Sequence, residues 1–156
     1  MLSIPEMHLS GSHEWSLPPS KSHIIRWLTM ISQSNSTCLI KLNKSPGADV
    51  NSMAECLQEM GVNVERNKEG WLVTPPKQGL SAPNIGLNCG NSGTSARVLS
   101  ALVATMGEKV KLDGDESLRA RSSSLGKILR DLQVHVDSDS LPVIVNGKMK
   151  GGATVD

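Results

Sequence analysis

Apolar residues recur along this chain with two periods, and each run predicts an element. Ile24, Leu28 and Ile31 fall three or four positions apart, with Ile25 and Trp27 beside them. That spacing predicts a helix opening just after Pro18-Pro19, which stop anything earlier from continuing as a helix. Val50, Met53, Ala54, Leu57 and Met60 predict a second helix, ended by Gly61. Val98, Leu99, Leu102, Val103 and Met106 predict a third over residues 94–106. Leu125, Ile128, Leu129 and Leu132 predict a fourth. Residues 37–42, 62–64, 71–74, 85–87, 110–112, 134–136 and 143–145 read as strands. Residues 43–47 read as a loop, 67–70 as a turn and 75–83 as a linker-like connection. Residues 1–17 are polar and irregular, with room for one edge strand.

The pattern occurs twice. Leu57, Met60, Val62 and Val64 correspond to Leu129, Leu132, Val134 and Val136 at an offset of 72, and Arg26 and Leu28 to Arg97 and Leu99 at an offset of 71. Each half reads strand, helix, strand, helix, strand, strand. The expected fold is therefore α/β, built of repeated βαβαββ units. The expected division is an N-terminal segment over 1–16, a first unit over 17–83 and a second over 84–150. Residues 151–156, Gly-Gly-Ala-Thr-Val-Asp, resemble the opening of a third unit. On this reading the chain is a piece of a longer polypeptide.

Composition narrows the function. The 156 residues suffice for one domain with a core, and the net charge of +1 gives no electrostatic case for nucleic acid. There is no Tyr or Phe, and Trp15, Trp27 and Trp71 are the only aromatic residues, so base-stacking platforms are nearly absent. Leu, Ile, Val and Met must build the core. Cys38, Cys56 and Cys89 are odd in number and far apart, and the four histidines lack metal-ligand spacing. A reduced, cytoplasmic protein without structural metal fits best, and no cofactor is expected. No apolar run is long enough for a signal peptide or a membrane span.

Three clusters carry candidate chemistry. The first is Gly90-Asn91-Ser92-Gly93-Thr94 with Arg97, lying between a short strand and a helix. Small residues let the backbone approach a ligand, and the free N–H groups of a helix start favour an anion. An isolated Gly-x-x-Gly turn is often only a turn, and no Gly-Lys-Ser/Thr makes this a P-loop. The second cluster is Ser20-Lys21-Ser22 with Arg26. Ser20 is a natural N-cap, and Ser22 and Arg26, four apart, share a helix face. The third is Asp113 to Arg121, where Asp115 or Ser117 can cap a helix, with Arg119 and Arg121 at or just before its first turns. A guanidinium fork suits carboxylate or phosphate. An ion pair with Asp113, Asp115 or Glu116 is the plain alternative for at least one of these arginines. Three such clusters at equivalent strand ends point to one site for a substrate with several negative charges.

In this order, Pro19-Ser20-Lys21-Ser22 with Arg26, Gly90-Asn91-Ser92-Gly93-Thr94 with Arg97, and Leu112-x-Gly-Asp with Arg121 resemble the 5-enolpyruvylshikimate-3-phosphate (EPSP) synthase family. The resemblance runs from about residue 15 to the end of the chain. It implies an inside-out α/β barrel in two globules of three βαβαββ units each, with the site in the cleft between them. Residues 1–16 would join the other globule. It implies transfer of enolpyruvyl from phosphoenolpyruvate to the 5-hydroxyl of shikimate 3-phosphate, with phosphate released through a tetrahedral adduct and no metal. By that likeness Lys21 contacts both substrates, Ser22 and Arg26 hold the shikimate carboxylate end, and Gly93 and Arg121 hold phosphoenolpyruvate with Asn91 nearby. Thr94 and Arg97 shape the loop. The resemblance supplies no catalytic residue in this chain. Its acidic proton-transfer residues and a Ser-Ser-Gln segment would lie past Asp156, so this chain alone is expected to bind substrate without turnover, with the remainder of the enzyme as its partner. Three residues depart from the pattern: Ser122 stands where many relatives have Pro, and His23 and Ile24 replace smaller or more polar residues. Two other readings compete. One is a non-catalytic anion-binding or interaction domain that kept the fold. The other is UDP-N-acetylglucosamine enolpyruvyl transferase, whose relatives usually lack Gly-Asn-Ser-Gly-Thr.

Overall fold

The computed structural model describes residues 11, 12, 14, 16–121 and 124–152. The expected edge strand within residues 1–17 and the expected third-unit opening lie largely outside these, as does Ser122.

The first helix, α1 (Lys21–Ser32), buries Ile24, Ile25, Leu28 and Ile31, the predicted stripe. Ser20 occupies its N-cap position but makes no side-chain cap bond, which corrects the expected capping role. Strand β1 (Cys38–Lys41) leads to α2 (Ala48–Glu59), and β2 (Asn63–Asn67) and β3 (Gly70–Thr74) form a hairpin. The order β1-β3-β2 is antiparallel throughout, with Cys38 opposite Val73 and Val64 opposite Val73 on the other side. The second sheet comprises β4 (Leu87–Asn88), β5 (Val110–Asp113), β6 (His135–Val136) and β7 (Val143–Asn146) in the order β4-β5-β7-β6. Here β5, β7 and β6 repeat the arrangement of β1, β3 and β2, and β4 joins β5 in parallel.

Helix α3 (Gly93–Met106) follows β4. It packs on α1 and α2 as well as on β5 and β7, and α2 reaches both β2 and β4. The helices therefore occupy the middle and share one aliphatic core that includes Leu28, Met53, Leu57, Leu99, Val103 and Leu112, all fully buried. Strands β5 and β7 alternate buried and more exposed positions, as expected where one sheet face covers helices and the other meets solvent.

Two short helices follow β5, at the two places where the sequence predicts helices. The first, α4, spans Glu116–Arg119 and is capped by Asp115, whose Oδ1 accepts from Leu118 N at 2.8 Å. The second, α5, spans Leu125–Asp131. Arg119 closes α4 and Arg121 lies beyond it, so neither marks a helix start. Four residues are too few for apolar periodicity to reveal a helix.

Equivalent helix ends in the two halves close alike. After α2, Gly61 N donates to Gln58 O and Val62 N to Leu57 O. After α5, Gln133 N donates to Arg130 O and Val134 N to Leu129 O. Both are Schellman turns and need a left-handed residue. Gly61 has φ +97°, whereas Gln133 is held at φ +62°. Replacing Gln133 with Gly removes the side-chain penalty of that conformation but adds flexibility to the unfolded chain. The variant is expected to be more stable by about 0.5–1 kcal/mol. A rise in the urea midpoint checks this, and an unchanged or lower midpoint contradicts it.

Candidate functional site

Three helix starts converge. Lys21 Nζ, in the first turn of α1, lies 2.9 Å from Asp49 Oδ2 in the first turn of α2. Ser95 Oγ, in the first turn of α3, donates to the backbone oxygen of that same Asp49 at 3.5 Å. Asp49 thus ties all three N-termini together. Asp49 is not among the residues that the sequence pattern singles out. The available signal was an acidic residue in a first turn, where it complements the helix dipole. On α1, Arg26 Nη1 donates to Ser22 Oγ and, at 3.3 Å, to Ser22 O, so this pair shares a face as expected.

The Gly-Asn-Ser-Gly-Thr turn is held by its own serine and by neighbouring loops. Ser92 is buried and caps α3, accepting from Ser95 N at 3.2 Å and pairing its hydroxyl with Ser95 Oγ at 2.8 Å. It therefore points inward and is not presented to a ligand. Gly90 N donates to Asn88 Oδ1 at 2.9 Å, and Gly90 O accepts from Asp115 N at the same distance. Gly90 has φ +55°, a conformation that favours glycine.

Arg121 reaches back across this turn. Its guanidinium donates to Asn91 Oδ1 and, at 3.5 Å, to Asn91 O. A methyl group placed on Gly93 would lie 3.7 Å from Arg97 Nη1 and 3.9 Å from Arg121 Nη1. Gly93, Arg97, Leu118 and Arg121 line one small cleft of about 110 Å³. This brings Asn91, Gly93 and Arg121 together. Lys21, Ser22 and Arg26 do not line that cleft; they sit on neighbouring α1, where Lys21 connects to the start of α3 through Asp49 and Ser95.

Arg119 is spoken for. Its Nε and Nη2 meet Asp113 Oδ1 and Oδ2 at 2.8 and 2.9 Å, a fork-to-fork pair. The Arg119 hydrogen bonds hold the Asp113 carboxyl below the usual carboxylate range. The thiols are equally occupied. Cys56 and Cys89 are both buried, and Cys56 donates to Asn88 O at 3.2 Å. Hydrogen bonding with Cys56, reinforced by burial, pushes the Cys89 thiol well above its ordinary value, so it is no nucleophile. Among the described residues no group of three or more His, Cys, Asp or Glu is placed to hold a metal ion, and no helix is long and apolar enough to cross a membrane. The arrangement offers cations, helix N–H groups and an amide at one end of the helix layer, suited to holding anions.

Comparison with known proteins follows the same lines. The family model described as EPSP synthase (3-phosphoshikimate 1-carboxyvinyltransferase) matches residues 9–156. A 3-phosphoshikimate 1-carboxyvinyltransferase of Halobacterium salinarum is 29% identical over 144 residues, covering 87% of this chain and 33% of the relative. Another, from Herpetosiphon aurantiacus, is 36% identical over 108 residues, covering 65% of this chain and 25% of the relative. The solved EPSP synthase of Acinetobacter baumannii superposes with a TM-score of 0.74 at 25% identity, covering 87% of this chain and 32% of that one. The enolpyruvyl transferase NikO of Streptomyces tendae, at 18% identity and a TM-score of 0.55 over 85% of this chain and 31% of its own, shares the fold. The chain spans between a quarter and a third of the length of these curated relatives.

Proposed function

The chain belongs to the EPSP synthase family, and we propose that it supplies the substrate-holding face of an enzyme transferring enolpyruvyl from phosphoenolpyruvate to shikimate 3-phosphate. The observation that carries this reading is the Arg121 guanidinium laid across Asn91 beside Gly93, at the start of α3. That geometry offers a forked cation and helix N–H groups to one small phosphorylated carboxylate. Lys21, Ser22 and Arg26 stand on the adjoining helix start and hold shikimate 3-phosphate. Asp49 keeps the Lys21 ammonium in place until an anion competes for it. The partners in this reading are the two substrates and the rest of the enzyme, whose groups complete a closed, dry cleft and stabilise charge in the transition state. A cytoplasmic setting fits the free thiols of Cys38, Cys56 and Cys89.

Gly93 gives the sharpest test. An added methyl meets Arg97, Leu118 and Arg121 only at ordinary contact distances of 3.7–3.9 Å, so Gly93→Ala is expected to fold normally. The methyl occupies the space above the helix start where phosphoenolpyruvate would sit. In the enzyme containing this chain, KM for phosphoenolpyruvate should rise at least about tenfold while KM for shikimate 3-phosphate changes little. Equal rises in both constants, or no rise, count against the assignment.

A further inference from the structure

A second basic cavity lies away from the residues assigned above. It has a volume of about 380 Å³ and is lined by Lys44, Asn51, Arg66, Asn67, Lys68 and Trp71 among others, none of them a carboxylate. Its residues come from two stretches that are distant in sequence. Lys44 lies in the connection from β1 to α2, and Arg66 and Lys68 belong to the β2–β3 hairpin. The pairing of Lys41 with Gly70, continued by Leu42 N donating to Glu69 O at 3.3 Å, brings them together.

Three features make this cavity more than a patch of surface lysines. The Arg66 guanidinium is laid on the Trp71 ring, 4.8 Å from its centroid, and Trp71 itself is buried. That stacking fixes the planar fork in advance. Asn67 Oδ1 accepts from Glu69 N at 2.9 Å and Gly70 N at 3.1 Å, which commits its oxygen to the turn and leaves its NH₂ group to donate. Lys21, Lys111, Arg119 and Arg130 each pair with an aspartate, whereas Lys44, Arg66 and Lys68 have no carboxylate partner among the described residues. Lys44 Nζ gives one bond to Ser16 O at 2.7 Å and keeps two donors.

We propose that this cavity is a second anion site, taking a small phosphate-bearing molecule through the Arg66 fork, Lys44, Lys68 and the Asn67 amide. A tetrahedral dianion matches a forked donor with two flanking ammonium groups. None of Lys21, Ser22, Arg26, Asn91, Gly93 or Arg121 lines it, so this site stands whether or not the enolpyruvyl-transfer reading holds.

The test is titration of the 156-residue chain with inorganic phosphate at constant ionic strength, followed by the NMR signals of the Trp71 indole N–H and the Arg66 Nε–H. Saturable shifts at both are expected, retained in Lys21→Ala/Arg121→Ala. They should weaken at least about tenfold in Lys44→Gln/Lys68→Gln, which leaves the Arg66–Trp71 stack intact. No saturable shift overturns the proposal. So does a response that survives Lys44→Gln/Lys68→Gln and disappears in Lys21→Ala/Arg121→Ala, because it places the anion at the other site.

Discussion

Replacing Arg121 with alanine is expected to weaken phosphoenolpyruvate binding about 10- to 150-fold, or about 1.5–3 kcal/mol, while leaving the fold intact. Arg121 is exposed and its hydrogen bonds go to Asn91, in a turn already secured by the Ser92 cap and by Asp115 N bonding Gly90 O. Its loss therefore removes a cation from the Gly93 cleft without removing a structural tie of the core. Arg119 supplies the control. It lies two residues away with a similar side chain, but its fork is closed on Asp113. Arg119→Ala should leave phosphoenolpyruvate binding nearly unchanged. Arg121→Lys should recover only part of the affinity, because an ammonium cannot span two acceptors as a guanidinium does. Calorimetric titration of the enzyme containing this chain measures all three. Equal losses for Arg119→Ala and Arg121→Ala would mean that general charge, and not the placement of one arginine, attracts the substrate.

The second large effect is structural and reaches the same site. A Cβ on Gly114 would lie 2.8 Å from the Gly90 carbonyl oxygen and 2.6 Å from Leu118 Cδ2. Leu118 can shift its side chain, but the Gly90 carbonyl cannot retreat freely. It accepts from Asp115 N at 2.9 Å, and the preceding Cys89 N donates to Asp113 O at 2.8 Å. Gly114→Ala must push these strands of backbone apart and break at least one of those bonds. The expected cost is about 2–4 kcal/mol. Asn91 and Gly93 follow Gly90, so the turn should also move relative to Arg121. Gly151→Ala is the matched control, since nothing lies within 4 Å of its added carbon. It should change stability by less than about 0.5 kcal/mol. Urea unfolding of both variants decides this; a Gly114→Ala protein as stable as the parent would show that the Gly90 turn is not held as described.

Much of the fold was legible because apolar spacing and burial coincide. Ile24, Leu28 and Ile31 predicted α1, Val50 to Met60 predicted α2, and all of these residues are buried. The repeat was legible for the same reason, since each half must cover an equivalent helix face with an equivalent strand pair. The failures have physical causes. The helix capped by Asp115 ends at Arg119 and leaves Arg121 outside it, because a single turn has no apolar period to fix its length. Ser20 had the right type and position for a cap, yet the α1 N-cap carries no side-chain bond, while Ser92 caps α3 from within a turn read as ligand-facing. Gln133 adopts the left-handed turn without the glycine that announces it at position 61. Around the candidate site, the four-residue spacing of Ser22 and Arg26 was readable because a helix fixes it. The pairing of Lys21 with Asp49 was not, because 28 residues and a β-strand separate them. Lys44 and the hairpin cations likewise meet only through strand pairing, which no local pattern records.

In the proposed function, the starts of α1 and α3 hold the two substrates of enolpyruvyl transfer side by side. The most direct measurement is residue-resolved NMR titration of the chain, first with shikimate 3-phosphate and then with phosphoenolpyruvate added to that complex. Shikimate 3-phosphate is expected to shift Lys21, Ser22 and Arg26 in one saturable step, and phosphoenolpyruvate then to shift Asn91, Gly93 and Arg121. Shifts absent from both groups, or confined to Lys44, Arg66 and Lys68, would contradict it.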